Sequence, residues 1–299
     1  MIAITGATGR TGRRVAEVLL EKGEKVRAIG RDAGRLSLLT RLGAEPLVGR
    51  VEDVATLSAA FEGADAAYLV LPEDVSQTDL RAHQDRISDC YAAAVAKSGV
   101  PFVVDLSSMG AQHATGTGPI VGLHNQEQKL NAIGGLNVLH IRAAYFMDNL
   151  FMSMGTLRET GTLPGGIPGD VQIPWIATRD IGAYAAGRLA ARDFSGSSVQ
   201  ELHGQRDVSM NEAAGVLGKA VGRPDIKYVQ IPGPILGAAL AQMGLPLKTA
   251  ELIVEMWEGA KAGLMQPQQQ RSPQNTTPTS LEAFVAEVFA PAFLASKPV

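Results

Sequence analysis

The stretch that decides the fold is MIAITGATGRTGRRVAEVLL, residues 1–20. An apolar run is followed by three glycines, Gly6, Gly9 and Gly12, and then directly by a helical pattern. In a strand–loop–helix unit, the first glycine permits a tight turn and the second lets the backbone approach a pyrophosphate; the third lets the helix pack close to the strand. The pattern predicts a dinucleotide-binding loop, and a glycine turn without a ligand is the alternative.

Short apolar runs alternate with longer helical patterns through the first half of the chain. The expected strands are Ile2–Thr5, Lys25–Ile29, Glu45–Val48, Ala66–Leu71, Phe102–Leu106 and Val138–Arg142. The expected helices are Thr11–Glu21, Arg35–Leu42, Val54–Phe61, Asp79–Lys97 and Gln126–Ile133. Apolar strands separated by helices are typical of a parallel sheet covered on both faces. Residues 1–150 are therefore predicted to form an α/β, Rossmann-type, doubly wound NAD(P)-binding domain.

The pattern changes after residue 150. Residues 160–175, TGTLPGGIPGDVQIPW, are typical of loops or short hairpins, and the polar residues 266–280 predict a surface loop. The expected helices are Thr178–Ala191, Met210–Val221, Gly233–Met243, Ala250–Lys261 and Leu281–Phe289, with short strands at Gln200–His203 and Ile226–Ile231. Residues 151–299 are predicted to form a smaller, helix-rich, substrate-binding lobe that is interleaved with the sheet.

Composition argues against several classes of function. A formal net charge of −3 and an aromatic content of 5% give no basis for binding nucleic acid or an anionic membrane. We expect a cytoplasmic protein because no secretory leader or long apolar span is found. The single cysteine, Cys90, is expected to be a buried structural thiol. No metal-binding motif and no Gly-x-Ser-x-Gly elbow is found, so neither a metal nor a hydrolase triad is expected.

The residues after the second strand bear on the choice between NAD and NADP. A free 2′-hydroxyl usually meets Asp or Glu at this place, whereas a 2′-phosphate needs a cation. This strand ends in Gly30-Arg31-Asp32, and Arg10 lies inside the glycine loop. Two guanidinium groups could therefore flank a phosphate. NADP(H) is the preferred cofactor, and Asp32 leaves NAD(H) open.

A series of motifs resembles, in order, the NmrA-like group of atypical short-chain dehydrogenases/reductases. The motifs are ITGATGRTG, AIGRD, DLSSMGA, HIRAAYFMDNL, TRDIGAYAAGRL, ELHGQRDVSMNEAAGVLGKAVGRP and TSLEAFVAEVF, and together they span nearly the whole chain. This family includes NADPH-dependent quinone and triphenylmethane-dye reductases, relatives of isoflavone reductase, and redox-sensing regulators with little or no catalysis. The resemblance therefore implies a cofactor more firmly than it implies a reaction.

The resemblance also implies positions for the cofactor. The residues that it places at the pyrophosphate are Gly6, Thr8, Gly9, Arg10, Thr11 and Gly12. Arg31 would take the 2′-phosphate. Leu71 and Pro72, after the fourth strand, would lie beside the nicotinamide half, and Ser107 and Ser108 would close the fifth strand near the ring.

The chain departs from the family pattern at two places. Many relatives carry Gly-Asp after the third strand, where this chain has Gly49-Arg50, so Arg50 would stack on the adenine or help to bind the phosphate. Typical members of the superfamily use Tyr-x-x-x-Lys on one helix face, but none of the five tyrosines here precedes a Lys at that spacing. Relatives often place Lys where this chain has His124, with an acidic residue near Glu127.

His124 is therefore the catalytic candidate. It acts as a general acid, it contacts the cofactor ribose or carboxamide without proton transfer, or it does neither. Arg142 and Asp180 are expected to brace the junction of the two lobes rather than to react.

The substrate site is expected to lie beyond the sixth strand. Tyr145, Phe146 and Asn149 are predicted to line it, together with the apolar segments PILGAALAQMGLPL and LIVEMWEGAKAGLM. The expected function is NAD(P)H-dependent reduction of a small aromatic, quinone-like or dye-like electrophile, because its stabilised product can take a proton from water. The alternative is a non-catalytic NADP(H)-binding redox sensor that acts through a protein partner. A homodimer is left open.

Overall fold

A computed structural model describes residues 1–295, so the last four residues of the predicted 151–299 lobe lie outside the described residues. The strands are β1 (Ile2–Ile4), β2 (Val26–Gly30), β3 (Glu45–Val48), β4 (Ala66–Val70), β5 (Phe102–Ser108), β6 (Asn137–Ala143), β7 (Tyr145–Phe146), β8 (Thr162–Gly165), β9 (Ile173–Ile176), β10 (Ser197–Leu202), β11 (Asp207–Val208) and β12 (Lys227–Gln230). The helices of the first half are α1 (Arg10–Glu21), α2 (Ala33–Arg41), α3 (Val54–Phe61), α4 (Leu80–Ser98) and α5 (Ile120–Asn131).

The second half is richer in helix. Its helices are α6 (Met154–Thr160), α7 (Thr178–Ala191), α8 (Met210–Val221), α9 (Gly233–Gln242), α10 (Leu247–Lys261), α11 (Leu281–Phe284) and α12 (Ala290–Ala295). A 3₁₀ segment covers Met147–Ser153, and a π-helical segment, Val285–Phe289, joins α11 to α12.

The main sheet has seven parallel strands in the order β10-β6-β5-β4-β1-β2-β3. From β1 the chain proceeds outward through β2 and β3, and then returns to place β4 on the other side of β1. The strand order therefore reverses beside β1, and the carboxyl ends of β1 and β4 border the crevice where such folds bind ligands. The predicted Rossmann-type α/β fold is confirmed.

The strands are buried on both faces, which explains their continuous apolar runs. Ile2 and Ile4 face the core beneath α1 and α7, whereas Ala3 between them faces the core beneath α3 and α4. Side chains that alternate along β1 therefore enter two separate hydrophobic layers. Helices therefore pack on both sides of the nucleotide-binding edge.

The second half of the chain completes the main sheet. β10 pairs with β6 in parallel register from Ser197 opposite Val138 to Leu202 opposite Ala143. This strand begins three residues before the expected Gln200–His203 segment. The boundary near residue 150 stays a prediction, but the main sheet includes a strand from residues after that boundary.

Two small sheets build the rest of the lobe. β9 pairs with β7 and β11, and β8 pairs in parallel with β12. The expectation of short hairpins within residues 160–175 is therefore wrong, because β8 and β9 pair with partners from other parts of the chain. These sheets, α8 and the final helices enclose a third core around Trp175, which is fully buried.

Several local expectations need correction. α5 begins at Ile120, six residues before the predicted start at Gln126, and Pro119 occupies its N-cap. The segment 266–280 is confirmed as a loop, but the buried carboxylate of Glu201 accepts the backbone N–H groups of Gln268 and Gln269 and so fixes it.

Two further expectations concern the single cysteine and a membrane-spanning segment. Cys90 is half-buried rather than buried, its thiol donates to the Glu52 carbonyl at 3.3 Å, and desolvation raises its pKa, which is typical of an unreactive thiol. Within residues 1–295 no helix is both long and apolar enough to span a bilayer.

Candidate cofactor and substrate cleft

The glycine loop has the geometry of a phosphate cradle. Gly6 has a φ of +59°, a conformation that side chains other than glycine rarely adopt, and its carbonyl accepts the N–H of Gly9 at 2.8 Å. A Cβ on Gly12 would overlap the Gly6 carbonyl oxygen. A Cβ on Gly9 would meet only that same oxygen, at 3.2 Å, among the described residues. Gly12 is thus required for close packing, whereas a side chain on Gly9 would meet one backbone oxygen at a tight distance without overlapping it.

The first turn of α1 is free to bind an anion. Gly9 is its N-cap, no side chain of the described chain caps it, and its first turn contains no acidic residue. The N–H groups and the positive end of the helix dipole therefore point unopposed into the crevice. Thr8 is half-buried at this turn, and Thr11 is buried. These residues fit the pyrophosphate of a dinucleotide.

The corner beyond β2 contains two arginines. Arg31 is exposed, and the Asp32 carboxylate caps α2 by accepting the N–H of Arg35 at 2.9 Å. The Arg35 guanidinium lies 3.5 Å from the Thr8 carbonyl of the glycine loop. Arg35 was not predicted from the sequence, because only the fold brings this side chain to the glycine loop. This corner fits a 2′-phosphate.

The other two predicted arginines are placed differently. Arg10 is directed toward the second lobe: its Nε lies 3.9 Å from Asp148, and its guanidinium carbon lies 5.9 Å from the Phe151 ring centroid. Arg50 forms an exposed ion pair with Glu52 at 3.1 Å. Contacts of Arg10 and Arg50 with the cofactor therefore stay predictions, and in this structure Arg35 is the arginine that meets the glycine loop.

Leu71 and Pro72 follow β4 at the edge of the crevice, as the fold requires for residues near a nicotinamide. The end of β4 is fixed because Tyr91 on α4 donates its hydroxyl to the Val70 carbonyl at 2.9 Å. Glu73 comes next; its side chain is open to solvent, but the surrounding protein atoms desolvate it enough to raise its pKa. The sequence analysis did not single out this carboxyl group.

Ser107 and Ser108 close β5 but face different surroundings. Ser108 is half-buried and donates to the Met109 carbonyl at 3.0 Å. Ser107 is 3% exposed and donates to Glu127 on α5 at 2.5 Å. Arg142 on β6 donates to the same carboxylate. The expectation that Arg142 braces the lobe junction is therefore wrong, because its partner lies on α5.

A second buried polar network lies deeper under α5. Asp105 on β5 accepts from Gln126 at 2.5 Å and from His140 on β6 at 2.8 Å. The other ring nitrogen of His140 lies 2.9 Å from Asn131. Polar residues at every second position of β5 and β6 were the available signal, since such positions share one face of a sheet. The network fixes α5 on the sheet.

His124 stands one turn before Glu127 on α5 and is half-buried. Its Nδ1 lies 2.8 Å from the Ala111 carbonyl, an oxygen that can only accept a hydrogen bond. Nδ1 therefore carries a proton, and in the neutral ring Nε2 is an acceptor. His124 can present that nitrogen to a ligand.

Aromatic side chains surround the predicted substrate residues. The Tyr145 ring lies 4.8 Å from that of Trp175 and 6.2 Å from that of Trp257, centroid to centroid. Burial raises the pKa of Tyr145 to about 12, and a hydrogen bond to Asn149 opposes this shift. Phe146 is half-buried and packs against the core of the main sheet. The structure thus brings Tyr145 and Asn149 together, and it adds Trp257 to the side chains around them.

Two consecutive glycines make room for this cluster. A Cβ on Gly166 would lie 2.6 Å from the Trp257 ring, and a Cβ on Gly165 would lie 2.8 Å from the Tyr228 hydroxyl. Tyr228 donates to the Ile167 carbonyl at 2.6 Å. Only glycine lets both rings lie against this backbone.

Helix α10 covers the loops that follow β4 and β5. Thr249 donates to the Gln77 carbonyl at 2.9 Å, and Glu255 accepts the N–H of Gly116 at 2.9 Å. Trp257 lies on the same helix. The lobe thus covers the carboxyl edge of the sheet from above. A cavity of about 570 Å³ between α9 and α10 is lined by other residues of these helices and not by the aromatic cluster.

The lobe junction is held by buried carboxylates at α7. Asp148 accepts the N–H and hydroxyl of Thr178 at 3.0 and 2.8 Å. Asp180 accepts the same two groups of Thr279 at 3.0 and 2.9 Å. Since α7 packs on α1, Asp180 joins the nucleotide side of the sheet to the C-terminal segment.

The strand order of the parallel sheet reverses beside β1, and within residues 1–295 no side chain caps the helix that follows the glycine loop. These two features define a dinucleotide-binding protein of the Rossmann type. The chain belongs to the NmrA-like family, whose model matches residues 1–282.

Individual relatives match most of the chain. The chain is 30% identical to quinone oxidoreductase 2 of Escherichia coli over 88% of its own length and 89% of that protein. It is 29% identical to the NAD(P)H azoreductase of Xenophilus azovorans over 86% of each chain. The solved structure of the Escherichia coli NADPH-dependent quinone oxidoreductase complexed with NADPH is similar with a TM-score of 0.82 and 25% identity, covering 97% of this chain and 100% of that one.

Proposed function

We propose that this protein transfers a hydride from NADPH to a planar conjugated acceptor, such as a quinone or an aromatic dye. The observation that carries the proposal is the aromatic cluster of Tyr145, Trp257 and Tyr228 beside the carboxyl edge that the glycine loop borders. Flat aromatic walls favour flat conjugated ligands, since offset and edge-to-face contacts add to the burial of apolar area.

The relatives support the class of reaction more firmly than they support the identity of the acceptor. The protein is an NAD(P)H-dependent reductase, since the relatives that it matches over most of their length include an azoreductase and a quinone oxidoreductase. NADP(H) is its cofactor, with NAD(H) as a second possibility. The two relatives reduce chemically different acceptors by name, and both kinds of acceptor are conjugated.

The residues that would hold the cofactor have separate tasks. The N–H groups at Gly9 and the first turn of α1 would bind the pyrophosphate, and Arg31 with Arg35 would bind the 2′-phosphate. Leu71 and Pro72 would border the nicotinamide half. When bound, NADPH supplies the hydride. The roof formed by α10 would hold the acceptor against the carboxyl edge of the sheet.

The arrangement supports proton delivery by water. Burial raises the pKa of Tyr145 and keeps it a neutral phenol, and the Glu127 carboxylate is occupied by Ser107 and Arg142. We infer that His124 contacts the cofactor rather than protonating the product. A conjugated acceptor tolerates this because its reduced form is a stabilised anion that water can protonate.

The test is NADPH oxidation against a panel of quinones, azo dyes and cationic triphenylmethane dyes, followed by the absorbance of NADPH. We expect steady turnover with at least one conjugated class and none with isolated aliphatic ketones. Tight NADPH binding without turnover of any acceptor would contradict the proposal and favour a redox sensor that acts through a protein partner.

A further inference from the structure

A buried ion pair lies beneath the carboxyl edge of β5 and β6. Glu127 is 1% exposed and accepts two hydrogen bonds from Arg142, Nε to Oε1 at 3.0 Å and Nη2 to Oε2 at 2.6 Å. Ser107 donates to the same Oε1 at 2.5 Å. Protein donors therefore satisfy the carboxylate, and the two-point contact holds the guanidinium in one orientation.

The third nitrogen of that guanidinium, Nη1, takes no part in these contacts. Within residues 1–295 no hydrogen bond engages Nη1 of Arg142, and Nη1 is not among the buried polar atoms that lack a partner. Nη1 therefore reaches solvent, consistent with a side chain that is 12% exposed. Arg142 is the penultimate residue of β6, so its backbone lies at the edge where parallel sheets bind ligands.

The reaction needs a positive group at this edge. As the hydride adds to an uncharged acceptor such as a quinone or an azo compound, its electron pair becomes the new bond to the acceptor, and the displaced π electrons move to a terminal oxygen or nitrogen. That atom carries one negative charge until a proton from water neutralises it. A donor already fixed toward the developing charge stabilises it without the reorganisation that solvent would require.

We propose that Arg142 is the electrostatic catalyst, contacting through Nη1 the acceptor atom that becomes negative. Glu127 and Ser107 are positioning residues, because they hold the Arg142 guanidinium in one orientation. Other members of the superfamily place a Lys on the helix that corresponds to α5. Here the cation would come from Arg142 on β6 instead. This inference rests on the proposed function, since it requires a hydride acceptor in the cleft.

The experiment separates charge from folding. Removing one member of a buried ion pair leaves the other charge uncompensated, whereas removing both restores neutrality. We therefore compare Arg142→Gln, Glu127→Gln and the double variant, with Arg142→Lys as the variant that keeps the charge. Arg179→Gln is the matched control, because Arg179 on α7 forms a partly exposed ion pair with Glu287 and donates to Thr279, and neither partner belongs to the proposed site.

Thermal unfolding and kcat with a quinone are measured for each variant. We expect both single variants to unfold at lower temperature and the double variant to recover most of that loss. The kcat of the double variant should nevertheless stay about 100-fold below that of the wild type, in the range found for removal of an oxyanion donor. Arg142→Lys should retain part of the activity, and the control should match the wild type.

Binding provides a readout that does not depend on turnover. Calorimetry compares 4-nitrophenolate with uncharged 4-nitroanisole on the NADP⁺ complex. The wild type should prefer the phenolate, and the double variant should lose that preference.

A folded double variant with kcat within threefold of the wild type would overturn the assignment and leave the pair a structural role. An unchanged preference for the phenolate would do the same. Absence of wild-type turnover with every acceptor is a different result, because it contradicts the proposed function itself.

Discussion

The carboxylate of Asp32 accepts the backbone N–H of Arg35 at 2.9 Å and so begins α2. An acidic residue at this place would otherwise be a candidate to bind the 2′-hydroxyl of NAD. Because its oxygen caps the helix, the corner presents the cations of Arg31 and Arg35 to a ligand. The same contact aligns the Arg35 side chain with the glycine loop.

Arg31→Ala and Arg35→Ala should each weaken NADPH binding by about 1.5–3 kcal/mol, the range for hydrogen bonds to charged groups. NADH binding should change little, because NADH lacks the 2′-phosphate. Fluorescence titration of both cofactors measures the difference. Arg41→Ala, at the far end of α2, is the control. Equal losses for NADPH and NADH would remove either arginine from this role.

Gly9→Val should abolish measurable binding of both cofactors, because it places a branched side chain where the pyrophosphate must approach. The backbone at Gly9 has a φ of −85°, which valine can adopt, so the variant should fold. Gly215→Ala is the control. This glycine is exposed on α8, and a Cβ added there would have no neighbour within 4 Å in the described chain. Unaltered affinity in folded Gly9→Val would mean that the loop is only a turn.

His124→Phe should raise KM for NADPH and leave kcat with a reactive quinone within about tenfold of the wild type, since we assign His124 to cofactor contact. A general acid would instead show a fall in kcat of about 10²–10⁴-fold and loss of a limb of the pH–rate profile. Profiles of wild type and variant between pH 5 and 9 measure both effects. Collapse of kcat with unchanged cofactor affinity would contradict our assignment.

Tyr145→Phe should reduce the alkaline sensitivity of the fold. Burial raises the pKa of Tyr145 from 10 to about 12, so its neutral form favours the folded state. That contribution is complete below pH 10 and is lost as the pH rises toward 12. Urea unfolding between pH 8 and 12 should therefore show a shallower loss of stability in the variant. An identical pH dependence would show that Tyr145 ionises alike in both states.

Asp180→Asn should cost about 1–3 kcal/mol of unfolding free energy, because an amide oxygen replaces a buried carboxylate that binds two groups of Thr279. Glu287→Gln, which removes an exposed ion pair with Arg179, the residue before Asp180 on α7, should cost at most about 1 kcal/mol. Chemical denaturation of both variants measures the difference. Equal costs would mean that the Asp180 contact does not secure the lobe junction.

The nucleotide-binding half could be predicted because its signals are local. The glycine spacing, the apolar strand before it and the helix after it all lie within residues 1–21, so no distant partner is needed to interpret them. Arg35 could not be singled out, since its value depends on the Thr8 carbonyl that faces it across the loop. Charged residues on an exposed helix look alike in sequence.

The pairing of Glu127 with Arg142 required the fold. The two residues come together because β6 lies beside β5 and α5 covers both strands, so that an acid on the helix meets a base on the neighbouring strand. Sequence reasoning placed Arg142 at the lobe junction, where Asp180 does lie. β7, β8 and β9 were also beyond prediction, because strands of two to four residues take their pairing from distant partners.

The position of β10 has a consequence during synthesis. Until Leu202 has left the ribosome and paired, the backbone donors and acceptors along one side of β6 have no strand to bind. An unpaired strand edge is a template for pairing with another chain. The nascent chain, with six strands formed and the seventh not yet made, is thus the species most exposed to aggregation. Pauses in translation before Leu202 has left the ribosome should lower the yield of folded protein, whereas pauses after it has left should not.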